Sequence, residues 1–507
     1  MPVRLWIDVE DLFEYARGNK RPSGIQRLAF EIYRCMQQRL GDYGSVHFVR
    51  HDVPRNSFHT VLWSEVAGLF EALTDLAPAP APALPSGITP RPPARRFMGK
   101  WLHRLAPSLR PLVINAVLAQ GEASRAWGTV ASAIYYGIRY RVTRVLRPSR
   151  HVAVRQCSDT EPAPPVADAF VEHSAPGDVL VVLGSPWSHP DYAALIRGQR
   201  DRGLRFALLV YDLIPIRRPE WCDRGLVRLF RDWFQTVLPL CDVIFAISQA
   251  TAADVECFAR DSRITLPDHV QSIPIGTGFG APAAPSVASA KHSLPKRGSY
   301  ALFVSTIEAR KNHVLLFRIW RQLLEDMKAE EVPTLVFAGR VGWMVGDLMH
   351  QIANTDHLNG KLVVVEDPTD RELAELYRDC LFTLFPSFYE GWGLPVTESL
   401  AFGKPCIISN RTSLPEAGGS LARMFDPDNL HDAYQVIRQT IEDRAGLARW
   451  EIQVREEFKP VPWSATVDAI LAGLRFSADE AESAPERAGI EVGLQSQTLR
   501  AAPVHTS

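Results

Sequence analysis

The sequence predicts an α/β fold, with parallel sheets shared between two or more domains. Its 507 residues exceed what a single hydrophobic core organises. Short apolar runs ending in Gly, Ser or Asp recur through both halves, the pattern of strands in an open sheet. The most informative stretch is 381–410, LFTLFPSFYEGWGLPVTESLAFGKPCIISN. Leu381–Phe385 reads as a buried strand, Pro386–Gly393 as a loop, and Pro395 as an early helix position where its missing N–H costs nothing. Gly403 and Pro405 stop that helix, and Cys406–Ser409 opens the next strand. Such a strand–loop–helix–strand unit is the building block of a parallel sheet.

Taken in order, Leu5–Val9 is the first strand, and Ser23-Gly24 turns into an amphipathic helix, RPSGIQRLAFEIYRCM. Backbone N–H groups at that helix start can face an anion, although a plain cap explains the turn as well. Residues 77–94 are Pro/Ala-rich, a semi-extended linker. From Arg91 to Arg155 there are thirteen Lys/Arg and one acid, Glu122, with apolar runs interleaved. Two readings of this insertion, spanning about 77–160, stand side by side: peripheral contact with an anionic membrane, or packing on its own domain.

Strands resume at Val179–Leu183, Phe206–Tyr211 and Val243–Ile247. Asp212 follows the second of these at a carboxyl end, where open sheets place ligands, and Ser248 and Thr251 follow the third as candidate helix caps. Gly276 and Gly278 mark the crossing into the second domain, and 281–298 is its linker. Ala301–Ser305 is the next strand. Arg310 and Lys311 stand in the loop after it, just before a helix, where two cations repel the helix dipole unless an anion joins them. Thr334–Ala338 ends in Gly339-Arg340, Lys361–Glu366 follows, and Thr369 to Glu372 spells a capping box. Residues 476–507 read as a disordered tail.

Composition excludes several classes. A net charge of −1 gives no global attraction to nucleic acid, and no nucleic-acid partner is expected. Seven cysteines, odd in number and without C-x-x-C spacing, suggest reduced thiols in the cytosol. Asp8, Glu10 and Asp11 stand where a signal peptide needs an apolar core, and no apolar run reaches the roughly 20 residues of a membrane span. A cytoplasmic protein, soluble or peripheral on the membrane, is expected. Asp426-Pro427-Asp428 spells D-x-D but reads as an ordinary turn, and His173, His189, His313 and His431 lack ligand spacing, so no metal is assigned. His189 lies near a strand end, where open sheets place ligands.

The chemistry centres on Glu390 and Glu398. Gly391 and Gly393 between them let the backbone approach a ligand, and the helix near Pro395 aims its free N–H groups at a diphosphate. Glu398 suits a ribose diol from the first helical turn, whereas Glu390, before the helix, suits the transferred group. In its order of strand, PS, EGWGLP, TES and GKP, the stretch resembles the donor-site signature of the family-4 retaining glycosyltransferases, glycosyl transferases group 1, with Glu390 and Glu398 as the acids of an E-x7-E motif.

That resemblance implies the GT-B architecture: two Rossmann-like domains with parallel sheets facing across a cleft, here 1–280 on the acceptor side and 299–475 on the nucleotide-sugar side. It implies catalytic roles for Glu390, Arg310 and Lys311, and donor binding by Glu398, Gly391, Gly393, Leu394, Gly339, Arg340 and Ser248. Gly24, Asp212 and His189 fall on the acceptor side. Gln249 stands where many relatives carry Glu. The implied activity is retaining transfer of a hexose, with mannose favoured, from a nucleotide diphosphate sugar to a glycan or lipid-linked acceptor in surface polysaccharide biosynthesis. No cofactor is expected, because Arg310, Lys311 and the helix N–H groups take the place of a metal. A nucleotide-sugar epimerase, a glycan phosphorylase or a non-catalytic binding subunit of the same fold are the alternatives.

Overall fold

Runs of Val, Ile, Leu and Phe buried on both faces build two separate sheets, each closed over by helices. The structure is a computed structural model that describes residues 3–74, 169–278, 292 and 294–475, apart from 20, 42–43, 188, 190 and 268. The Pro/Ala stretch, the basic insertion, much of the 281–298 linker and the 476–507 tail lie outside the described residues.

The first sheet holds β1 (Leu5–Asp8), β2 (Val46–Asp52), β3 (Ser57–Val61), β4 (Val179–Val182), β5 (Arg205–Val210), β6 (Val243–Ala246) and β7 (Gln271–Ser272). Their spatial order is β3-β2-β1-β4-β5-β6-β7, parallel except where β3 returns against β2. The second holds β8 (Tyr300–Val304), β9 (Thr334–Ala338), β10 (Leu362–Val365), β11 (Phe382–Phe385), β12 (Cys406–Ser409) and β13 (Ala422–Phe425), in the parallel order β10-β9-β8-β11-β12-β13. Both are doubly wound sheets of Rossmann type. Strand order reverses between β1 and β4 in one and between β8 and β11 in the other, and a crevice opens beyond the carboxyl ends at such points.

Five helices matter for the site: α1 (Gly24–Leu40), α2 (Gln249–Asp261), α3 (His313–Asp326), α4 (Leu394–Ala401) and α5 (Trp463–Leu474). The α1 helix starts where Ser23 accepts a hydrogen bond from the Ile25 N–H, and buries Leu28, Ile32, Tyr33, Met36 and Leu40 at helical spacing. The capping box expected at Thr369 and Glu372 is present, with both reciprocal bonds made.

The expected second domain, 299–475, is divided by the structure. The chain folds on the second sheet as far as the helix Arg444–Glu457, then crosses back, and α5 buries Trp463, Val467, Ile470, Leu471 and Leu474 in the core of the first domain. The apolar face of α5 has the pattern of any core helix, so its sequence alone does not say which core it joins. The outgoing and returning crossings are bonded together. Thr277 N–H donates to the Val461 carbonyl at 2.8 Å, Val461 N–H to Thr277 Oγ1 at 3.1 Å, and Trp463 Nε1 to the Gly278 carbonyl at 2.8 Å. A side chain at Gly276 would collide with the Trp463 ring. Among the described residues no helix is long and apolar enough to cross a membrane.

Candidate active site

Carboxyl-end loops of the two sheets meet, and a cluster of paired charges lies at the β8/β11 reversal. After β8 the chain makes a single tight turn, Ala309–Lys311, which Asn312 ends in the left-handed conformation at φ 60°. Asn tolerates that region better than most residues. Its buried side chain donates to the carbonyls of Pro386, at 3.2 Å, and Pro427, at 3.3 Å, which fixes the turn against the loop after β11.

Arg310 and Lys311 thereby converge on Glu390. Arg310 Nη1 lies 2.9 Å from Glu390 Oε2 and also reaches the Tyr389 carbonyl, while Nη2 lies 2.6 Å from the buried Glu308. Lys311 Nζ lies 2.6 Å from Glu390 Oε1. Burial opposes the Glu390 carboxylate, but Lys311 and Arg310 overcome it and hold its pKa down to about 2. The anion that the two cations require is therefore, in this structure, Glu390 itself. His313, the first residue of α3, is buried; burial and the Lys311 charge lower it to about 3, so it is neutral.

The Glu390 loop is pinned from behind. Glu390 N–H donates to Thr412 Oγ1 at 3.0 Å, and the Ser413 hydroxyl donates to the carbonyls of Glu390 and Trp392 at 3.0 and 2.8 Å. Thr412 sits at φ 51°, an outlier for a β-branched residue, and such strain persists where the surroundings over-determine it. Gly393, at φ 110°, caps α4, and a side chain at Gly391 would strike the Tyr211 carbonyl of the first domain. At Gly339, φ 150°, one would strike the Ser305 carbonyl. Arg340 is exposed beside it.

Glu398 is the fifth residue of α4 and so lies in its second turn, not the first as expected. The Tyr377 hydroxyl donates to its carboxylate at 2.9 Å. Burial pushes Glu398 up from its ordinary value, with that hydroxyl and Arg27 pulling the other way.

From the first domain, Asp212 accepts from the Ile214 N–H at 2.9 Å as a local cap, yet also lies in the field of Arg310, Glu390 and Lys311. Burial raises its pKa. Gly24 opens α1 opposite Leu394, whose Cδ1 would lie 3.3 Å from a Cβ there. Ser248 caps α2 by accepting from the Thr251 N–H at 3.0 Å, and the Thr251 hydroxyl reaches the Gly391 carbonyl at 3.2 Å. Glu416 accepts from the N–H groups of Gln249 and Ala250 at 2.8 and 2.9 Å. Arg27 grips Asp370 with bonds of 2.8 and 3.0 Å. Tyr389 bonds Asp254.

His189 joins a different cluster, at the β1/β4 reversal. Its ring meets His51 edge-on at 4.9 Å, and His51 bonds Asp8 at 2.7 Å, as does Tyr192 at 2.8 Å. Burial opposes a charge on His51, but Asp8 raises its pKa above the ordinary value. No contact among the described residues links His189 to Glu390. Asp426 and Asp428, the D-x-D pair, both bond Arg411, at 2.7 and 2.9 Å.

The structure brings Glu390, Arg310 and Lys311 into contact, and around them stand Thr412, Ser413, Glu416, Tyr377 and Asn312, which the sequence did not single out. Thr412 and Ser413 follow the carboxyl end of β12, which was the available signal.

Residues 287–457 match the family model described as glycosyl transferases group 1. The chain is 26% identical over 303 residues to the serotype-specific mannosyltransferase WbdA of Escherichia coli, covering 58% of this chain and 36% of that protein. It is 33% identical over 153 residues to the O-antigen chain mannosyltransferase B of Escherichia coli, 30% of this chain and 39% of that protein. It is 28% identical over 193 residues to the D-inositol 3-phosphate glycosyltransferase of Thermobifida fusca (strain YX), 36% of this chain and 43% of that protein. The matched stretches thus span 36–43% of the length of these relatives.

Proposed function

Because residues 287–457 match glycosyl transferases group 1, we propose that this protein is a retaining hexosyltransferase. It takes the sugar from a nucleotide diphosphate donor and passes it to a hydroxyl of a glycan or lipid-linked acceptor. Mannose is the favoured sugar, since two of the relatives are named mannosyltransferases, and surface polysaccharide assembly is the setting.

The observation that carries the reading is the convergence of Arg310 and Lys311 on one carboxylate beside a glycine-opened helix. As the anomeric bond breaks, negative charge grows on the departing diphosphate. A planar guanidinium fork, an ammonium and the positive end of the α4 dipole stabilise it where it develops. A donor diphosphate competes with Glu390 for its cations and frees that carboxylate to face the sugar.

Before the donor arrives, Lys311 and Arg310 hold Glu390 down to about 2, so it meets the substrate as a carboxylate. It acts by charge, stabilising positive character on the ring, while the departing diphosphate oxygen takes the acceptor proton. That arrangement has nucleophile and leaving group on one face and therefore retains configuration. Glu398, with one oxygen on Tyr377, holds the ribose. The reading requires no metal, and the protein works at the cytoplasmic face of the membrane.

The test is calorimetric titration with GDP and UDP, followed by turnover with GDP-mannose and the UDP-hexoses, reading nucleoside diphosphate release and the anomeric configuration of the product by NMR. A protein that binds neither nucleotide, or that inverts the anomeric centre, contradicts the proposal.

A further inference from the structure

The loop that follows β9 carries two large apolar side chains in the open. Trp343 is 53% exposed and Met344 62% exposed. Among the described residues no aromatic ring or cation covers the Trp343 indole, so a broad apolar face is left to solvent. Isolated exposed hydrophobics are commonplace. This one differs in how firmly it is held and in what it adjoins.

The loop is bonded to the segment that bears the catalytic cations. Gly342 N–H donates to the Ile307 carbonyl and Ile307 N–H to the Arg340 carbonyl, both at 2.8 Å, and Ile307 bridges Val341. Gly342 packs so closely that a Cβ there would lie 2.8 Å from Thr306 Cγ2. Met344 then adopts φ 57°, a conformation that costs a non-glycine residue, and Val345 is buried just beyond. Trp343 Nε1 is fixed in turn to the Trp221 carbonyl of the first domain, at 2.9 Å. Its polar edge is satisfied and its flat face is free.

The residue that accepts the Trp343 N–H carries its own aromatic contacts. Trp221 stacks on Phe388, with ring centroids 5.6 Å apart and planes 15° apart, and the Arg218 guanidinium lies 4.0 Å from the Trp221 ring centre. Phe388 N–H donates to the Arg310 carbonyl at 3.0 Å, and Phe388 stands two residues before Glu390. The Trp343 loop is thus tied through the Trp221 backbone to a Trp221–Phe388 stack that lies against the Arg310 turn.

We propose that Trp343 is a platform for the acceptor, and that the acceptor end it receives is the pyranose ring of a neutral glycan. One face of a pyranose presents axial C–H groups, an apolar surface matched in size to an indole, whereas its hydroxyls point outward to polar partners. A phosphate gains nothing from such a face, and an alkyl chain has no need of a rigid one. The inference deepens the proposed transfer reaction by naming its acceptor class, and rests on that reading for its placement beside Glu390.

Saturation-transfer NMR on the full chain tests it, with manno-, gluco- and galacto-oligosaccharides, inositol phosphate and decyl phosphate as probes. One of the oligosaccharides should receive saturation at its ring C–H protons. Trp343→Ala should weaken its binding about tenfold, the factor that about 1.4 kcal/mol of stacking supplies, and Trp343→Phe should restore most of it. GDP and UDP affinities, measured on the same variants, should stay within about twofold, since tenfold is the size of one lost contact. The platform is refuted if no oligosaccharide binds, if Trp343→Ala binds like the parent, or if only inositol phosphate or the decyl chain is saturated. Absence of nucleotide binding with oligosaccharide contact intact would instead remove the transferase reading and leave the platform standing.

Discussion

Glu416 in the second domain caps Gln249 in the first: its carboxylate takes the free N–H groups at the start of α2, where the helix dipole favours an anion. The contact joins loops that follow β12 and β6, and so ties one sheet edge to the other. Replacing Glu416 by Ala should let the domains part, which small-angle scattering would register as a larger radius of gyration in the nucleotide-free protein. An unchanged scattering curve would show that Arg27–Asp370 and Tyr389–Asp254 hold the interface without it.

Lys311→Ala should weaken binding of both donor and free nucleoside diphosphate by about 1.5–3 kcal/mol, the worth of one charge-assisted hydrogen bond. The same variant leaves Glu390 with Arg310 as its remaining cation. Combining it with Glu390→Gln should therefore recover thermal stability but not nucleotide affinity. Calorimetry showing full affinity in the single variant would remove Lys311 from the phosphate site.

The depressed pKa of Glu390 makes a signed prediction. A carboxyl near 2 in the folded protein, against an ordinary 4.5, contributes stability that is complete above about pH 4.5 and is lost as pH falls toward 2. The gap in melting temperature between the parent and Glu390→Gln should be widest near neutrality and close across that interval. A gap that stays constant down to pH 3 would mean that Lys311 and Arg310 do not stabilise the ionised form.

Glu398→Gln should chiefly raise the donor KM, because the ribose is held alike in ground and transition states, whereas Glu390→Gln should chiefly lower kcat. Tyr377→Phe separates support from contact. It removes the hydroxyl that orients Glu398, so it should shift KM in the same direction but less. Steady-state kinetics giving kcat effects for Glu398 and KM effects for Glu390 would reverse the two assignments.

Much of this was legible in the chain because parallel strands buried on both faces are spelled as short apolar runs. Thr334–Ala338 and Cys406–Ser409 were read with the bounds that the structure shows. The β2–β3 hairpin was not, since VHFVRHD carries two histidines, an arginine and an aspartate into a strand, and its turn depends on Asn56 at φ 49°. His51, the partner of Asp8, was hidden with it. Glu416 escaped for another reason: its hydrogen-bond partner lies 167 residues away, beyond any local pattern. The dipole argument at Arg310 and Lys311 foresaw the need for an anion, but a single sequence does not reveal that Glu390 supplies it before any ligand arrives.

The return of α5 to the first domain gives the protein a mechanical property that neither sheet has alone. The chain passes between the domains twice, and the bonds joining Thr277 to Val461 and Trp463 to Gly278 sew the two passages into a double ribbon. A single flexible tether allows swivelling in every direction; a ribbon of two strands bends easily about one line and resists torsion. A domain movement about that ribbon would follow a clamshell stroke and bring Asp212 and Glu390 back to one register. One proteolytic nick within 281–298 would leave the halves attached, and removal of α5 would cost the first domain part of its core as well as its guide.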